Sequence, residues 1–443
     1  MTVSPLAGRV ATAHRSIRAA RLTPELVWFV ASASRRNNPY PKYRKMQRLD
    51  PVHHSPLGVW IVSRHADVTA ALRHPDLSSD ERHIDLSTLH LGPLRRLLGS
   101  KREPEGQRSF NERLRELMLF RDPPDHTRLR GLVNKAFTPR TVQQLAARIE
   151  AIADELLTDI VPLGQTDFMQ TFAYPFPARV ICELIGVPQV DSHYVVEHAP
   201  ALATGLDPGP LQTADIRAAA NAAVEAISGY LTDLIGLRRA EPRPDMISSL
   251  LVSRDGDVLT ESELISTVLL VLMAGHETTA NLLGNGFLGL LGQPDRMEEL
   301  RLNPSLDAAA VDELLRFDSP VQMSLRIAKE SVEVGGHQIG QGSAVILCNG
   351  AANHDEAVYP HPDQFDWHRP HNAHVAFSGG IHFCLGAPLA RTETRIALRA
   401  ILNRMPNLHL AGDPVRRPSF VIRGLSSLPL GWDRPQAGDR SRS

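Results

Sequence analysis

Phe377-Ser378-Gly379-Gly380-Ile381-His382-Phe383-Cys384-Leu385-Gly386, running on into Ala387-Pro388-Leu389-Ala390-Arg391, is the stretch on which the reading of this chain turns. It is a glycine-rich loop feeding a helix that should start near Ala387, which places Cys384 at a helix N-terminus. The orphan N–H groups and the positive end of the dipole there favour a thiolate. The neighbouring glycines and Phe377 leave room for a large apolar group against the loop, so a metal centred on that sulfur is the expectation. The other cysteines, Cys182 and Cys348, sit in apolar runs without partner spacing and read as buried thiols with no role.

A second segment conflicts with its own surroundings. Thr260 and Glu263 form a capping box, and apolar residues continue from there to about Leu291, a helix of roughly 45–50 Å at about 1.5 Å per residue. Apolar on most faces, it should be buried, yet its centre reads Ala274-Gly275-His276-Glu277-Thr278-Thr279. Two readings stay open for these residues. Thr278 bonds back to a carbonyl one turn earlier while Glu277 pairs with a cation not visible in the sequence. Alternatively, Gly275 lets a flat ligand approach while Thr278 and Glu277 serve a reaction centre, one by hydrogen bonding and the other by relaying protons. His276-Glu277 does not continue as a helical zinc motif, since Ala280 stands where the second histidine is needed. Gly284-Asn285-Gly286-Phe287-Leu288-Gly289 matches a dinucleotide fingerprint by letter but follows helix, so helix packing explains it better.

The whole chain has 443 residues, 42% hydrophobic and 22% charged, enough for a large core. Lys plus Arg number 48 against 49 Asp plus Glu, a net charge of -1, which removes the basic field of a nucleic-acid binder. No apolar run reaches the roughly 20 residues of a membrane span, so no stable membrane insertion is expected. With only three, widely spaced cysteines, a cytoplasmic location is expected. Residues 1–20 read as a flexible basic tail, 21–435 as a single domain and 436–443 as a disordered tail. Helices are expected from Pro139 to about Ile160 and from Ile216 to Leu237. Gly58 to Ser63, the hairpin Val332 to Ile339 and Ala344 to Cys348 read as strands, and 81–118 as an irregular connection over a binding site.

The run Phe377 to Arg391 resembles the haem-binding loop of the cytochrome P450 family, whose cysteine is the axial ligand to haem iron. Other segments agree, in the right order. Glu313-Leu314-Leu315-Arg316 is similar to the family's Glu-x-x-Arg helix, Phe365-Asp366-Trp367-His368-Arg369-Pro370 to the segment that adds a second arginine, and Ala274 to Thr279 to its oxygen-activating helix. His126-Thr127-Arg128-Leu129-Arg130, after Asp122-Pro123-Pro124-Asp125, resembles the bacterial members' propionate-binding helix, and Arg326 and His382 fall where further propionate contacts are expected. The chain is most similar to soluble actinobacterial members. Ser378, where the loop usually has glycine, and His354 and Glu356, where arginine and proline are usual, depart from the pattern.

The resemblance implies a mainly α fold with small β-sheets and haem b between the long central helix and the cysteine loop. Cys384 would be the metal ligand. His126, Arg130, Arg326, His382, Phe377, Ala274, Gly275 and Gly386 would contact the cofactor, Thr278 and Glu277 would be catalytic, and Glu313, Arg316 and Arg369 would form a structural network. Val271, Val321, Gln322, Met323 and Leu325 would line the substrate pocket. The implied enzyme is a monomeric monooxygenase that inserts one atom of O2 into a small hydrophobic organic substrate, with a ferredoxin-type donor meeting Arg113, Arg128, Lys135, Arg391 or Arg395. A peroxide-driven hydroxylase and a non-catalytic haem-thiolate sensor are the alternatives, together with a zinc protein built on His361, His368, His371 and His374.

Overall fold

The computed structural model describes residues 37–89, 116–205, 213–252, 259–417, 419 and 421–434. Both expected tails lie outside them, as does 90–115 of the irregular connection. The chain folds as two compact units, each assembled from separate stretches of sequence.

The first unit comprises, among the described residues, 37–89, 321–363 and 378–383. It is built on a five-stranded sheet in the spatial order Val52–His54, Trp60–Val62, Ala344–Leu347, Ser324–Ala328, Leu77–Ser78. Trp60–Val62 runs parallel to Ala344–Leu347, with Trp60 opposite Val345, and the other pairs are antiparallel. The strands are rich in Val, Ile and Leu, which suit a pleated, half-buried surface. The expected hairpin forms between Val332–Val334 and His337–Ile339. Its turn needs positive φ twice, and Gly335 (53°) and Gly336 (78°) supply it.

The second unit, 116–320, 364–377 and 384–434 within the described range, is helical. Its axis is Glu261–Leu291, 31 residues opened by the capping box: Glu263 N–H donates to Thr260 Oγ1 at 3.2 Å and Thr260 N–H to Glu263 Oε2 at 2.9 Å. The helices Pro175–Ile185, Ser192–Gly205, Ala214–Ala240, Asp307–Phe317 and Ala387–Arg404 pack around it. Helix Pro139–Ile160 begins at Thr138, whose hydroxyl caps Thr141 N–H at 3.2 Å. The glycines of 284–289 are packing residues: a Cβ at Gly284 would sit 2.5 Å from Met169 Sδ, and one at Gly289 3.0 Å from Phe317 and Phe365. Phe168, Phe172 and Phe176 stack at 5.2–5.5 Å beside Phe287. No helix among the described residues is long and apolar enough to cross a membrane.

Candidate active site

Cys384 is half-buried at the mouth of helix Ala387–Arg404, its N–H donating to Phe377 O at 2.9 Å. Burial pushes the thiol above its ordinary range. The backbone N–H groups of Gly386 and Ala387 and the cations Arg130 and Arg391 pull the other way without overcoming burial. The helix N-terminus expected from the sequence is therefore present, but the dipole alone does not yield a thiolate. A bound cation must displace the proton. A Cβ at Gly386 would meet nothing within 4 Å, so the space at Gly386 is open.

The loop is braced from beneath. The Arg391 guanidinium lies 4.7 Å from the Phe377 ring centroid and donates to Asp312 Oδ1 at 2.8 Å, while His374 Nε2 approaches the same oxygen at 3.3 Å. Asp312 was not singled out from the sequence, where it is one more helix carboxylate beside Glu313. Arg391, expected on a docking face, takes part in this brace with its side chain still 39% exposed. Ser378 adopts φ 62°, the left-handed region where glycine is at home, so the departure from the family's glycine carries backbone strain. Ser378→Gly should therefore stabilise the chain by about 0.5–1 kcal/mol after the entropy glycine costs in the unfolded state, read as a rise in Tm.

His126 and Arg130 stand four residues apart on helix Asp125–Val133, on one face. Burial lowers the pKa of His126, with Arg130 adding to the effect against Asp122, and burial lowers that of Arg130, with Cys384 opposing. Both groups would gain from an anion placed between them. In the other unit, Arg326 is buried with Nη1 donating to Leu325 O at 2.8 Å, and His382 Nε2 lies 2.9 Å from Ser79 Oγ.

The centre of the long helix divides its residues between two environments. Ala274 is exposed although the helix around it is buried, and Thr278, four residues on, shares its open face, donating from Oγ1 to Ala274 O at 2.6 Å. The back-bond that the sequence left open is thus present, and it fixes the hydroxyl on the open face. Gly275, beside it, is half-buried, and a Cβ there would lie 2.8 Å from Ile181 Cδ1, so the glycine admits a neighbouring helix on that side. Glu277 is buried, and its cation is Arg417, which donates to Oε1 beside Asn281 Nδ2 at 3.1 Å. Arg417 also lies over the Tyr174 ring at 5.3 Å. The dibasic Arg416-Arg417 was the one sequence signal for this pair.

His276 is fully buried, with Nε2 3.1 Å from Tyr174 O. Burial, aided by Arg417 and opposed by the bond to Tyr174, lowers its pKa to about 4. An unfolded histidine takes up a proton below about pH 6.5, the buried one only near 4, so its contribution is whole above 6.5 and lost as pH falls toward 4. The loss is about 3 kcal/mol over that window. His276→Gln should flatten the acid limb of stability by about 2.5 kcal/mol between pH 7 and about 4.5, measured as the difference in denaturation free energy.

Glu313 and Arg316 are wholly buried and paired. Arg316 donates from Nε to Oε2 at 2.8 Å and from Nη2 to Oε1 at 2.7 Å. Arg369 Nε and Asp366 N–H reach Oε1 at 3.1 Å each, and Asn372 Nδ2 reaches Oε2 at 3.0 Å.

Of the pocket candidates, Val271 and Met323 are buried, Val321 half-buried and Leu325 exposed. Gln322 is held inside its own unit, accepting from the Tyr43 hydroxyl at 2.9 Å. His368 and His374 each face a carboxylate, Glu299 and Asp312, and no group of three or more His, Cys, Asp or Glu converges on a metal position among the described residues. Among the remaining expected docking arginines, Arg128 pairs with Glu263, Arg395 is exposed and Arg113 lies outside the described residues.

A family model described as Cytochrome P450 matches residues 210–303 and 304–413. The chain is 41% identical over 92% of its length, and 98% of the relative's, to cytochrome P450 107B1 of Saccharopolyspora erythraea. It belongs to the cytochrome P450 family. It is also 42% identical to a vitamin D(3) 25-hydroxylase of Pseudonocardia autotrophica, over 89% of this chain and 93% of that one. The ligand-free crystal structure of CYP164A2 of Mycobacterium smegmatis superimposes with a TM-score of 0.81 at 36% identity, covering 92% and 99% of the two chains. The chain is thus an enzyme of the P450 monooxygenase class, whose fold is mainly helical with small sheets. The family implies a haem on a cysteine thiolate, and the residues of the helical unit fit one: a half-buried sulfur facing two N–H groups, open space at Gly386, and the His126/Arg130 pair that an anionic group would relieve.

Proposed function

We propose that this chain inserts one oxygen atom of O2 into a nonpolar organic substrate, using haem b ligated by Cys384 and electrons from a ferredoxin and its reductase. The observation that carries the reading is the environment of the Cys384 sulfur, which meets backbone N–H groups on one side and the Arg130 charge on another within the same unit as the exposed Ala274/Thr278 face. Haem, when bound through a thiolate, supplies the electron density that favours cleaving an O–O bond.

The chain's residues do the rest. Gly386 and Ala387 N–H groups hold the sulfur and moderate its basicity. His126 and Arg130 neutralise carboxylates of the cofactor, and by resemblance Arg326 and His382 do the same. The Thr278 hydroxyl, its hydrogen given to Ala274 O, keeps lone pairs on the open face for a donor there. Glu277 moves protons, and Arg417 and Asn281 fix its carboxylate. Val271, Met323 and Leu325 are apolar, which supports a hydrophobic substrate whose shape is weakly discriminated.

The test is the carbon monoxide difference spectrum of the purified, dithionite-reduced protein. A strongly red-shifted Soret band is expected, and absence of bound haem would overturn the reading. Turnover that needs a ferredoxin system and is not replaced by peroxide would separate it from a peroxide-driven hydroxylase.

A further inference from the structure

His276 is not used by the chemistry above, and its two nitrogens have different fates. Nε2 lies 3.1 Å from Tyr174 O, and a carbonyl only accepts, so Nε2 carries the proton and Nδ1 presents a bare lone pair. That lone pair faces Glu277, with Nδ1 4.0 Å from Oε2. Glu277 already takes Arg417 and Asn281 on Oε1, while Oε2, like His276 Nδ1, is buried without a hydrogen-bond partner. Both side chains are more than nine-tenths buried. Two acceptors 4.0 Å apart cannot bond to one another. A molecule with two hydrogens at about 2.8 Å from each satisfies both with an angle near 90° at its oxygen.

We infer that His276 is a positioning residue for proton delivery: its Nδ1 and Glu277 Oε2 together hold one water molecule against the carboxylate. A residue needed only to tie the helix to Tyr174 would require a single donor, which glutamine supplies as well. What histidine adds is the second nitrogen, turned toward Glu277. The groups around the site are Arg417 on Oε1, the Tyr174 ring beneath that guanidinium, and Asn281; of these only Arg417 is charged. The inference deepens the proposed function, because it rests on Glu277 as the proton relay.

Asparagine and glutamine separate the two halves of the histidine. In His276→Asn, Oδ1 takes the place of Nδ1 and the bond to Tyr174 is lost. In His276→Gln, the amide reaches Tyr174 and nothing replaces Nδ1. High-resolution crystal structures of the holoenzymes should show water within about 2.7–3.2 Å of both acceptors in the wild type and in His276→Asn, and none there in His276→Gln. His276→Asn should melt earlier than wild type. His276→Gln should melt at pH 7 close to wild type, yet turn over O2 about tenfold more slowly with the reconstituted ferredoxin system. No water between Nδ1 and Oε2 in the wild type, or a His276→Gln enzyme with wild-type rate, would overturn the inference. Glu277→Gln with an unchanged rate would instead remove the relay, while the water site is still decided by its own density.

Discussion

Exchanging Cys384 for alanine should abolish the red-shifted carbonyl band completely and leave little or no haem on the purified chain. The reason lies in what surrounds the sulfur. Two N–H groups, from Gly386 and Ala387, are aimed at it, and Arg130 and Arg391 add positive charge, so the site is built for a negative atom at that point. Burial alone keeps the thiol protonated, which makes the metal the partner that completes the charge balance. Alanine removes the ligand and leaves donors and cations facing an apolar methyl. The other cysteines supply the control. Cys182 and Cys348 are buried thiols pushed up to about 12 by desolvation, so neither is a thiolate at neutral pH. Cys182→Ala and Cys348→Ala should keep the carbonyl band and lose only about 1–2 kcal/mol of packing. A retained red-shifted band in Cys384→Ala would reassign the ligand.

How much of this was legible in the sequence depended on whether a residue's role is local. The capping box at Thr260, the turn at Gly335-Gly336 and the start of the cysteine helix at Ala387 are fixed by neighbours a few residues away, and each stands where the residues placed it. Glu277 shows the limit. An acid in an apolar helix announces that a cation must exist, but the cation, Arg417, is 140 residues downstream, and nothing in the spacing joins them. Asp312 was passed over for a related reason: its partners His374 and Arg391 come from segments 62 and 79 residues away. At Gly275 a glycine gap in a helix has the same appearance whether it admits a ligand or another helix, and the approach of Ile181, 2.8 Å from its would-be Cβ, is visible only in the fold. The helices Pro175–Ile185 and Ser192–Gly205 carried no expectation; Pro200 argues locally against the second, while burial against the long helix prevails.

The converging donors on Glu313 make Glu313→Gln the most costly change outside the cysteine loop, with an expected loss of about 3–5 kcal/mol. Glutamine is nearly isosteric, so volume is kept and the effect is electrostatic. Its amide nitrogen would face donors whichever way it turned: Arg316 Nη2, Arg369 and Asp366 N–H on one side, Arg316 Nε and Asn372 on the other. Two guanidiniums would remain buried without a countercharge, which costs far more than the pair itself contributes. The damage should travel to the haem loop by connected contacts. Glu313 holds Asp366, Arg369 and Asn372, and this segment runs into His374 and Phe377, which Asp312 and Arg391 brace from the adjacent position of the same helix. Loosening the segment therefore displaces Phe377, whose carbonyl accepts from Cys384 N–H. Haem content per chain should fall together with the denaturation midpoint, and the remaining carbonyl complex should partly lose its red shift. Arg369→Lys separates charge from geometry, because it keeps one cation near Oε1 but gives up the fixed fork. It should cost about 1–2 kcal/mol, less than half the effect of Glu313→Gln. Equal losses in the two variants would mean that the planar guanidinium geometry, rather than the buried carboxylate, holds the loop in place.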